Sequence, residues 1–227
     1  MNATLVVARF NERLGWLDDI PTGMPIWIVN MGAQFETLPF LRLFNELKVK
    51  DAGRESFAYA SWIIANYKNL PEWCVFVQGN PFDHMVGVGF LQWLRALPGI
   101  TKNPEVNIVL AGKERFAAMD ERLPMMSRLL ARSPLVPYEL DPLDGGQFLA
   151  RHPMMTLWMW LFGPGVSTPA PQWGYCWGNQ FAVRREFILS KPLTFWTRLA
   201  SCLEHAPKPL EACILERMWP SILKKEV

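Results

Sequence analysis

The chain has 227 residues, half of them hydrophobic, and its formal net charge at pH 7 is +2. This length and composition are sufficient for one large α/β domain with a buried core. A net charge so close to zero excludes non-specific electrostatic binding to nucleic acid, so no nucleic-acid partner is expected.

Two short apolar runs near the N-terminus predict the first strands of a parallel sheet. The first covers residues 4–8 and leads into Asn11 and Glu12, so polar side chains follow the end of a strand. A short helical pattern then extends to Ile20, and Ile26–Asn30 is the second strand. Residues 31–50 show no pattern that predicts an element.

Residues 55–67 predict a helix with a broad apolar stripe, and Arg54 and Glu55 occupy its first turn. The start of a helix presents unpaired N–H groups and a positive partial charge, so it can receive a phosphate, with Arg54 adding a forked donor. The alternative is that Glu55 only complements the helix dipole and Arg54 forms a surface ion pair.

The strongest indication of a site is the segment from Trp73 to His84. Its charge-free run Val75-Phe76-Val77 is typical of a strand that is covered on both faces. Ligands of open α/β sheets bind beyond the carboxyl ends of such strands. Alternatively, the polar side chains here satisfy backbone groups of a tight turn. The residues that follow this strand and make it a candidate site are Gln78, Gly79, Asn80, Asp83 and His84.

The rest of the chain continues the alternation of helices and strands. We expect a helix over 88–97, a strand over 106–111, two short helices over 115–132 and a loop over 133–146. The apolar stretch 154–162 predicts a core helix, because a membrane span needs about 20 residues. A glycine- and aromatic-rich segment leads into a short strand near 181, and 185–190, 193–203 and 210–219 predict helices, the last of which ends at Pro220.

These alternating signals predict an α/β fold of three layers, with a mostly parallel sheet flanked by helices. We expect all of residues 1–227 to form a single domain without a transmembrane segment. The N-terminus lacks the pattern of a signal peptide, and the four cysteines have no C-x-x-C or zinc-type spacing. Reduced thiols and a cytoplasmic location are the expectation.

Four segments together resemble an uncharacterised family, domain-of-unknown-function family 3431. Their order and spacing span nearly the whole chain, although Asp51, Phe57 and Ala58 stand where we expect Asn, His and Thr in that family. The resemblance supplies no activity. The matching segments are 6–12 with Trp16 and Leu17, 53–56 with Tyr59, 75–84, and 178–183 with 216–219.

The arrangement of the same segments is similar to that of glycosyltransferases of the GT-A fold, a nucleotide-binding sheet of alternating strands and helices. This similarity implies a nucleotide-binding-like half over residues 1–111 and an acceptor-side half with the C-terminal helices over 112–227. The implied partners are a nucleotide sugar and a glycan or small-molecule acceptor. The implied cofactor is Mn²⁺ or Mg²⁺ held by Asp83 and His84, although the Asp-x-Asp usual in those enzymes is absent.

Sugar transfer requires a group that offsets the charge of the leaving diphosphate and a base that removes a proton from the acceptor. Asp83 and Glu216 are the candidate catalytic carboxylates. The candidate substrate-binding residues implied by the resemblance are Asn11, Glu12, Arg54, Glu55, Gln78, Gly79, Asn80, His84, Asn179, Arg184 and Arg217. By default, Glu216 is a solvated or ion-paired side chain, and His84 is a hydrogen-bonded structural one.

Two other functions remain open from the sequence. Asp83 and His84 with a further carboxylate could form the metal site of a hydrolase, although no H-x-H or H-E-x-x-H motif is present. A non-catalytic module could bind carbohydrate through exposed Trp173, Tyr175 and Trp177.

Overall fold

The structure is a computed structural model, and it describes residues 2–35, 40–85, 88–111, 115–118, 153–163, 172–175 and 177–224. The predicted loop over 133–146 and most of the two helices predicted over 115–132 lie outside these residues. Among the described residues, no helix is long and apolar enough to span a membrane.

The protein is built on a mixed sheet of six strands, and five of them run in the same direction. The six strands are β1 (Ala3–Arg9), β2 (Ile26–Asn30), β3 (Asn45–Lys48), β4 (Trp73–Gln78), β5 (Ile108–Leu110) and β8 (Phe181–Arg184). Neighbouring strands follow the order β3-β2-β1-β4-β8-β5. The pairs β1–β2, β2–β3 and β1–β4 are parallel, whereas β8 is antiparallel to both of its neighbours.

Helices cover both faces of this sheet, which confirms the predicted three-layer α/β fold. On one face lie a 3-10 helix (Gly15–Asp19) and α2 (Val88–Ile100), which pack on alternate residues of β1 such as Leu5 and Val7. The other alternate residues, Val6 and Ala8, face the opposite layer. The helices of that opposite layer are α1 (Arg54–Asn66), α3 (Pro153–Phe162), α4 (Arg185–Leu189), α5 (Leu193–Ser201) and α6 (Leu210–Lys224).

Aromatic side chains fill the core between the sheet and this second layer. Phe76 of β4 and Phe181 of β8 lie 5.3 Å apart between ring centroids, and Trp219 of α6 lies 5.6 Å from Phe181. Tyr59 and Trp62 of α1 complete the group, with centroids 4.9 and 5.7 Å from Phe76. Aromatic contacts of this kind fix α1 and α6 relative to the strand ends where the site lies.

Both halves of the chain build the same sheet. Strand β8, from the late part of the sequence, lies between β4 and β5. The halves 1–111 and 112–227, which were predicted within a single domain, therefore both contribute strands to the six-stranded sheet.

Several elements differ from the sequence prediction, and one of them is β3, which lies in the stretch 31–50 where no element was predicted. Residues Arg115–Ala118 form strand β6, not a helix, because they pair antiparallel with β7 (Gln172–Tyr175) in a second sheet. Helix α6 does not end at Pro220 but continues to Lys224. Trp219, Pro220 and Ile222 are buried there, and this packing outweighs the local cost of a proline inside a helix.

Candidate functional site

A cavity of about 330 Å³ opens at the carboxyl ends of the parallel strands β1 and β4. Ligand pockets of α/β proteins occur at this edge, and the volume is at the lower end of their usual range. One wall comes from the strand ends and the other from the start of α1 and the segment before α6. The side chains of interest that line the cavity are Glu12, Asp51, Arg54, Glu55, Gln78, Asp83 and Lys208.

The strand wall is held together by Glu12. Its Oε2 accepts a hydrogen bond from the backbone N–H of Phe10 at 2.7 Å, and its carboxylate packs against Gly79. A Cβ placed on Gly79 would lie 2.5 Å from Glu12 Oε2, so glycine allows this close approach without a shift of the Glu12 side chain. Asp83 is exposed beside them, and its Oδ1 accepts a hydrogen bond from Asn80 Nδ2 at 2.6 Å.

The opposite wall begins at Gly53 and Arg54, which both have left-handed backbone conformations with φ of 60° and 53°. Their N–H groups donate to the carbonyls of Ala206 and Pro207 at 2.9 and 3.2 Å. The start of α1 is thus anchored to the segment before α6. This contact places Lys208 in the cavity on the same wall as Arg54.

Glu55 is the most buried carboxylate of the cavity, with its side chain 9% exposed. Its Oε1 accepts a hydrogen bond from Asn179 Nδ2 at 3.1 Å, and its Oε2 lies 3.5 Å from Arg54 Nε. Glu216 does not line the cavity, but its Oε1 accepts the backbone N–H of Gly178 at 2.8 Å. Two consecutive residues therefore donate hydrogen bonds to the two carboxylates, Gly178 to Glu216 and Asn179 to Glu55.

The charges of this group interact. Burial raises the pKa of Glu55, nearby Arg54 lowers it, and the negative charge of Glu216 raises it further. The pKa of Arg54 is raised, chiefly by Glu55. Burial raises the pKa of the Cys213 thiol. Arg54, which forms a hydrogen bond with this thiol, partly opposes the increase. Glu55 and Glu216 thus belong to one electrostatic cluster at the start of α1.

Gly178 also determines how Gln78 and His84 pack. A Cβ placed on Gly178 would lie 2.2 Å from Gln78 Nε2 and 2.7 Å from His84 Cδ2. Gln78 Nε2 is buried without a hydrogen-bond partner among the described residues. The cavity wall at Gln78 therefore depends on the absence of a side chain at position 178.

Some predicted substrate-binding residues adjoin the cavity lining without forming it. Gly79 packs against Glu12, and Asn80 donates its hydrogen bond to Asp83. Asn179 donates a hydrogen bond to Glu55. His84, which follows Asp83 in the chain, packs beside Gly178. These residues support the walls of the cavity.

Two further predicted residues lie outside the cavity. Asn11 accepts the N–H of Ala33 at 3.0 Å and joins the loops that follow β1 and β2. Arg217 lies with its guanidinium 5.6 Å from the ring centroid of Tyr175 and 4.0 Å from Glu216 Oε2. Like Glu216, it belongs to the layer behind the cavity.

Arg184 lies at the end of the sheet opposite to the cavity, where β4 begins. It pairs with Trp73 at the start of β4, about 16 Å along the strand from Gln78. Its Nε donates to the carbonyl of Val106 at 2.8 Å, and its guanidinium stacks 4.9 Å from the centroid of Trp73. The fold therefore does not bring Arg184 together with Gln78 as the sequence led us to expect.

Metal ions in proteins are bound by sets of side chains that include His, Cys, Asp and Glu. No three His, Cys, Asp or Glu side chains among the described residues lie close enough to bind one ion. Asp83 and His84 supply two ligands at most, so a metal ion here would take its remaining ligands from water or a bound phosphate. Mn²⁺ or Mg²⁺ stays a prediction from the resemblance.

The carbohydrate-binding surface predicted from three aromatic residues is wrong for Tyr175. This residue is buried, with 5% of its surface exposed, beneath the guanidinium of Arg217. The side chains of Trp173 and Trp177 lie outside the part of the chain that the structure describes.

Lys208 is a cavity residue that the sequence did not predict. It lies in a proline-rich turn with no pattern that marks a site, and it is more than 120 residues from the strands it faces. The contacts of Ala206 and Pro207 with the start of α1 bring it to the cavity.

No family model matches the chain, and comparisons with curated proteins and with solved structures found no similar protein. The resemblances to family 3431 and to the GT-A glycosyltransferases therefore stay predictions. Neither the fold nor the geometry of the site depends on them.

Proposed function

We propose that the protein is a glycosyltransferase that moves a sugar from a nucleotide-sugar donor to a hydroxyl of a glycan or small-molecule acceptor. The observation that carries this proposal is the convergence of Glu12, Arg54, Glu55, Gln78 and Asp83 on one cavity. These five come from three separate segments, and the GT-A resemblance implies that two of them, the turn after β1 and the segment after β4, lie at the donor. A cytoplasmic location remains part of the proposal.

The charges of the two walls suggest how a donor would lie. Arg54 and Lys208 share the α1 wall, and they are the cations that can offset the negative charge of a diphosphate. Glu12, Gln78 and Asp83 face them from the strand ends, and carboxylate and amide oxygens accept hydrogen bonds from sugar hydroxyls. The donor therefore lies between the two walls, with its diphosphate within reach of Arg54 and Lys208.

The two catalytic carboxylates expected from the sequence have different positions. Asp83 is exposed on the cavity wall, where it can touch a bound sugar or acceptor. Glu216 lies behind Gly178 and holds the turn that supports Gln78. We therefore assign Asp83 to ligand contact and Glu216 to positioning.

A thermal-shift screen tests the proposal. The ligands are UDP-glucose, UDP-galactose, UDP-N-acetylglucosamine and GDP-mannose, each with Mn²⁺ and with EDTA. A ligand at a hundred times its Kd stabilises the native state by about 2.7 kcal/mol, which raises Tm by about 5–11 °C for a chain of this size. We expect at least one nucleotide sugar to have this effect.

The matched variants are Arg54→Met and Arg185→Met. Arg54 faces the cavity, whereas Arg185 is exposed at the start of α4. We expect the shift to fall in Arg54→Met and to persist in Arg185→Met. An unchanged Tm of the wild type with all four nucleotide sugars would reject the donor site, and stabilisation by Mn²⁺ alone would favour a hydrolase.

A further inference from the structure

Two left-handed turns meet at Glu55. Among the described residues, Arg54 and Asn179 are the only non-glycine residues with positive φ, at 53° and 52°. Each follows a glycine with positive φ, namely Gly53 and Gly178. Backbone of this kind persists only where the surrounding structure holds it, and it is concentrated at functional sites.

Both strained residues act on the same carboxylate. Asn179 donates its side-chain N–H to Glu55 Oε1 at 3.1 Å, and Arg54 faces Oε2 with its Nε at 3.5 Å. Ser56 takes a second N–H of Asn179 at 3.2 Å, and Trp219 also donates to Ser56, at 3.1 Å. The Glu55 carboxylate is therefore fixed in direction, and Glu55 is one of the residues that line the cavity.

We propose that Glu55, and not the exposed Asp83, is the general base of this cavity, an inference that rests on the proposed function. A base must line the ligand cavity and must be fixed in position; Glu55 is one of the lining residues, and Asn179 fixes its carboxylate. Asp83 meets the first, but it is exposed to water and its hydrogen bond comes from the local turn residue Asn80. A carboxylate removed from water accepts a proton more readily than an exposed one.

In the proposed step, the oxygen of the acceptor hydroxyl forms a bond to the anomeric carbon of the donor, and its proton passes to Glu55. The bond from that carbon to the diphosphate oxygen breaks, and the electron pair leaves with the diphosphate. When water replaces the acceptor, the same step hydrolyses the donor.

The charged groups that face Glu55 come from several elements. Arg54 adjoins it on α1, and Glu216 belongs to α6 behind it; the Cys213 thiol, also on α6, interacts with Arg54. Burial and the charge of Glu216 raise the pKa of Glu55, and Arg54 opposes them. Glu216 is thus a positioning residue that also keeps Glu55 basic. The other charged residues that share the cavity with Glu55 are Glu12, Asp51, Asp83 and Lys208.

The first test compares Glu55→Gln with Asp83→Asn in the release of UDP from UDP-glucose, UDP-galactose and UDP-N-acetylglucosamine, with water as acceptor. Glutamine keeps the oxygen that accepts the Asn179 hydrogen bond but removes the base. We expect a loss of about 100-fold or more in kcat for Glu55→Gln, because general bases contribute about 10²–10⁴-fold. Asp83→Asn should lose less than about tenfold, and the exposed Glu186→Gln should lose nothing.

The pH profile separates a base from a structural residue. The acid limb of kcat should follow the raised pKa of Glu55, above 4.5, and should move to lower pH in Glu216→Gln because one negative neighbour is removed. Retention of turnover within about threefold in Glu55→Gln, or a larger loss in Asp83→Asn, would overturn the assignment while leaving the donor site intact.

A second readout needs no ligand. A carboxyl whose pKa is raised in the folded state binds extra protons there, so its stabilising effect is lost as pH rises from 4.5 through the folded-state pKa. The Tm of the wild type relative to Glu55→Gln should therefore fall over that range and then level off. Parallel Tm profiles for the two proteins would overturn the inference even if no donor is found.

Discussion

Gly178 lies where the side chains of Gln78, His84 and Glu216 meet. Its φ of 77° is strained for any residue with a Cβ, by about 1–2 kcal/mol. A Cβ there would also overlap Gln78 Nε2. Gly178→Ala should therefore lower the free energy of unfolding by about 2 kcal/mol or more and displace Gln78 from the cavity wall. Urea denaturation measures the loss of free energy of unfolding, and nucleotide-sugar affinity reports the displacement of Gln78.

The matched control is Gly89→Ala. Gly89 lies in α2, and a Cβ added there would have no neighbouring atom within 4 Å, so alanine should stabilise the helix by about 0.5–1 kcal/mol. Equal effects of the two substitutions would contradict the role assigned to Gly178.

At the scale of elements, Lys191 stabilises the C-terminal end of helix α6. This lysine is fully buried, and its Nζ donates to the carbonyls of Leu223 and Phe187 at 2.8 and 3.3 Å and to Ser190 Oγ at 2.8 Å. A cation at a helix C-terminus satisfies carbonyls that have no partner within the helix. The end of α6 thus remains ordered beyond Pro220.

Lys191→Met should therefore destabilise the protein. Methionine keeps most of the buried volume but leaves the carbonyl of Leu223 without this donor, which costs about 2 kcal/mol. Urea denaturation should show this loss, and amide hydrogen exchange should accelerate at residues 221–224. Lys68→Met, at an exposed position after α1, is the control and should change neither quantity.

The elements that the sequence predicts well are those determined by local patterns. The strand Ile26–Asn30 is predicted with its observed bounds, and α1 differs by one residue at each end, because apolar runs and periodicity lie within each segment. Strand β6 and the end of α6 could not be predicted in this way. Each depends on a partner distant in the sequence, β7 for the strand and Lys191 for the helix.

At the scale of the whole molecule, the topology decides which polar residues meet. Parallel pairing of β1 with β4 places Glu12 and Gln78 at one edge, as the strand pattern allowed us to expect. Because β8 runs antiparallel to β4, Arg184 lies at the opposite end of the strands from Gln78. No local pattern in the sequence encodes the direction of β8. Lys208 enters the cavity through a tertiary contact alone.

The proposed function requires that a nucleotide sugar binds at the carboxyl edge of β1 and β4. The most direct measurement is the change of backbone amide chemical shifts when UDP-glucose, or whichever of the four donors raises Tm most, is titrated into the labelled protein. We predict that the changes concentrate at Glu12, Arg54, Gln78 and Asp83 and spare Arg184. Changes centred on Arg184, or no changes at millimolar ligand, would contradict the proposed site.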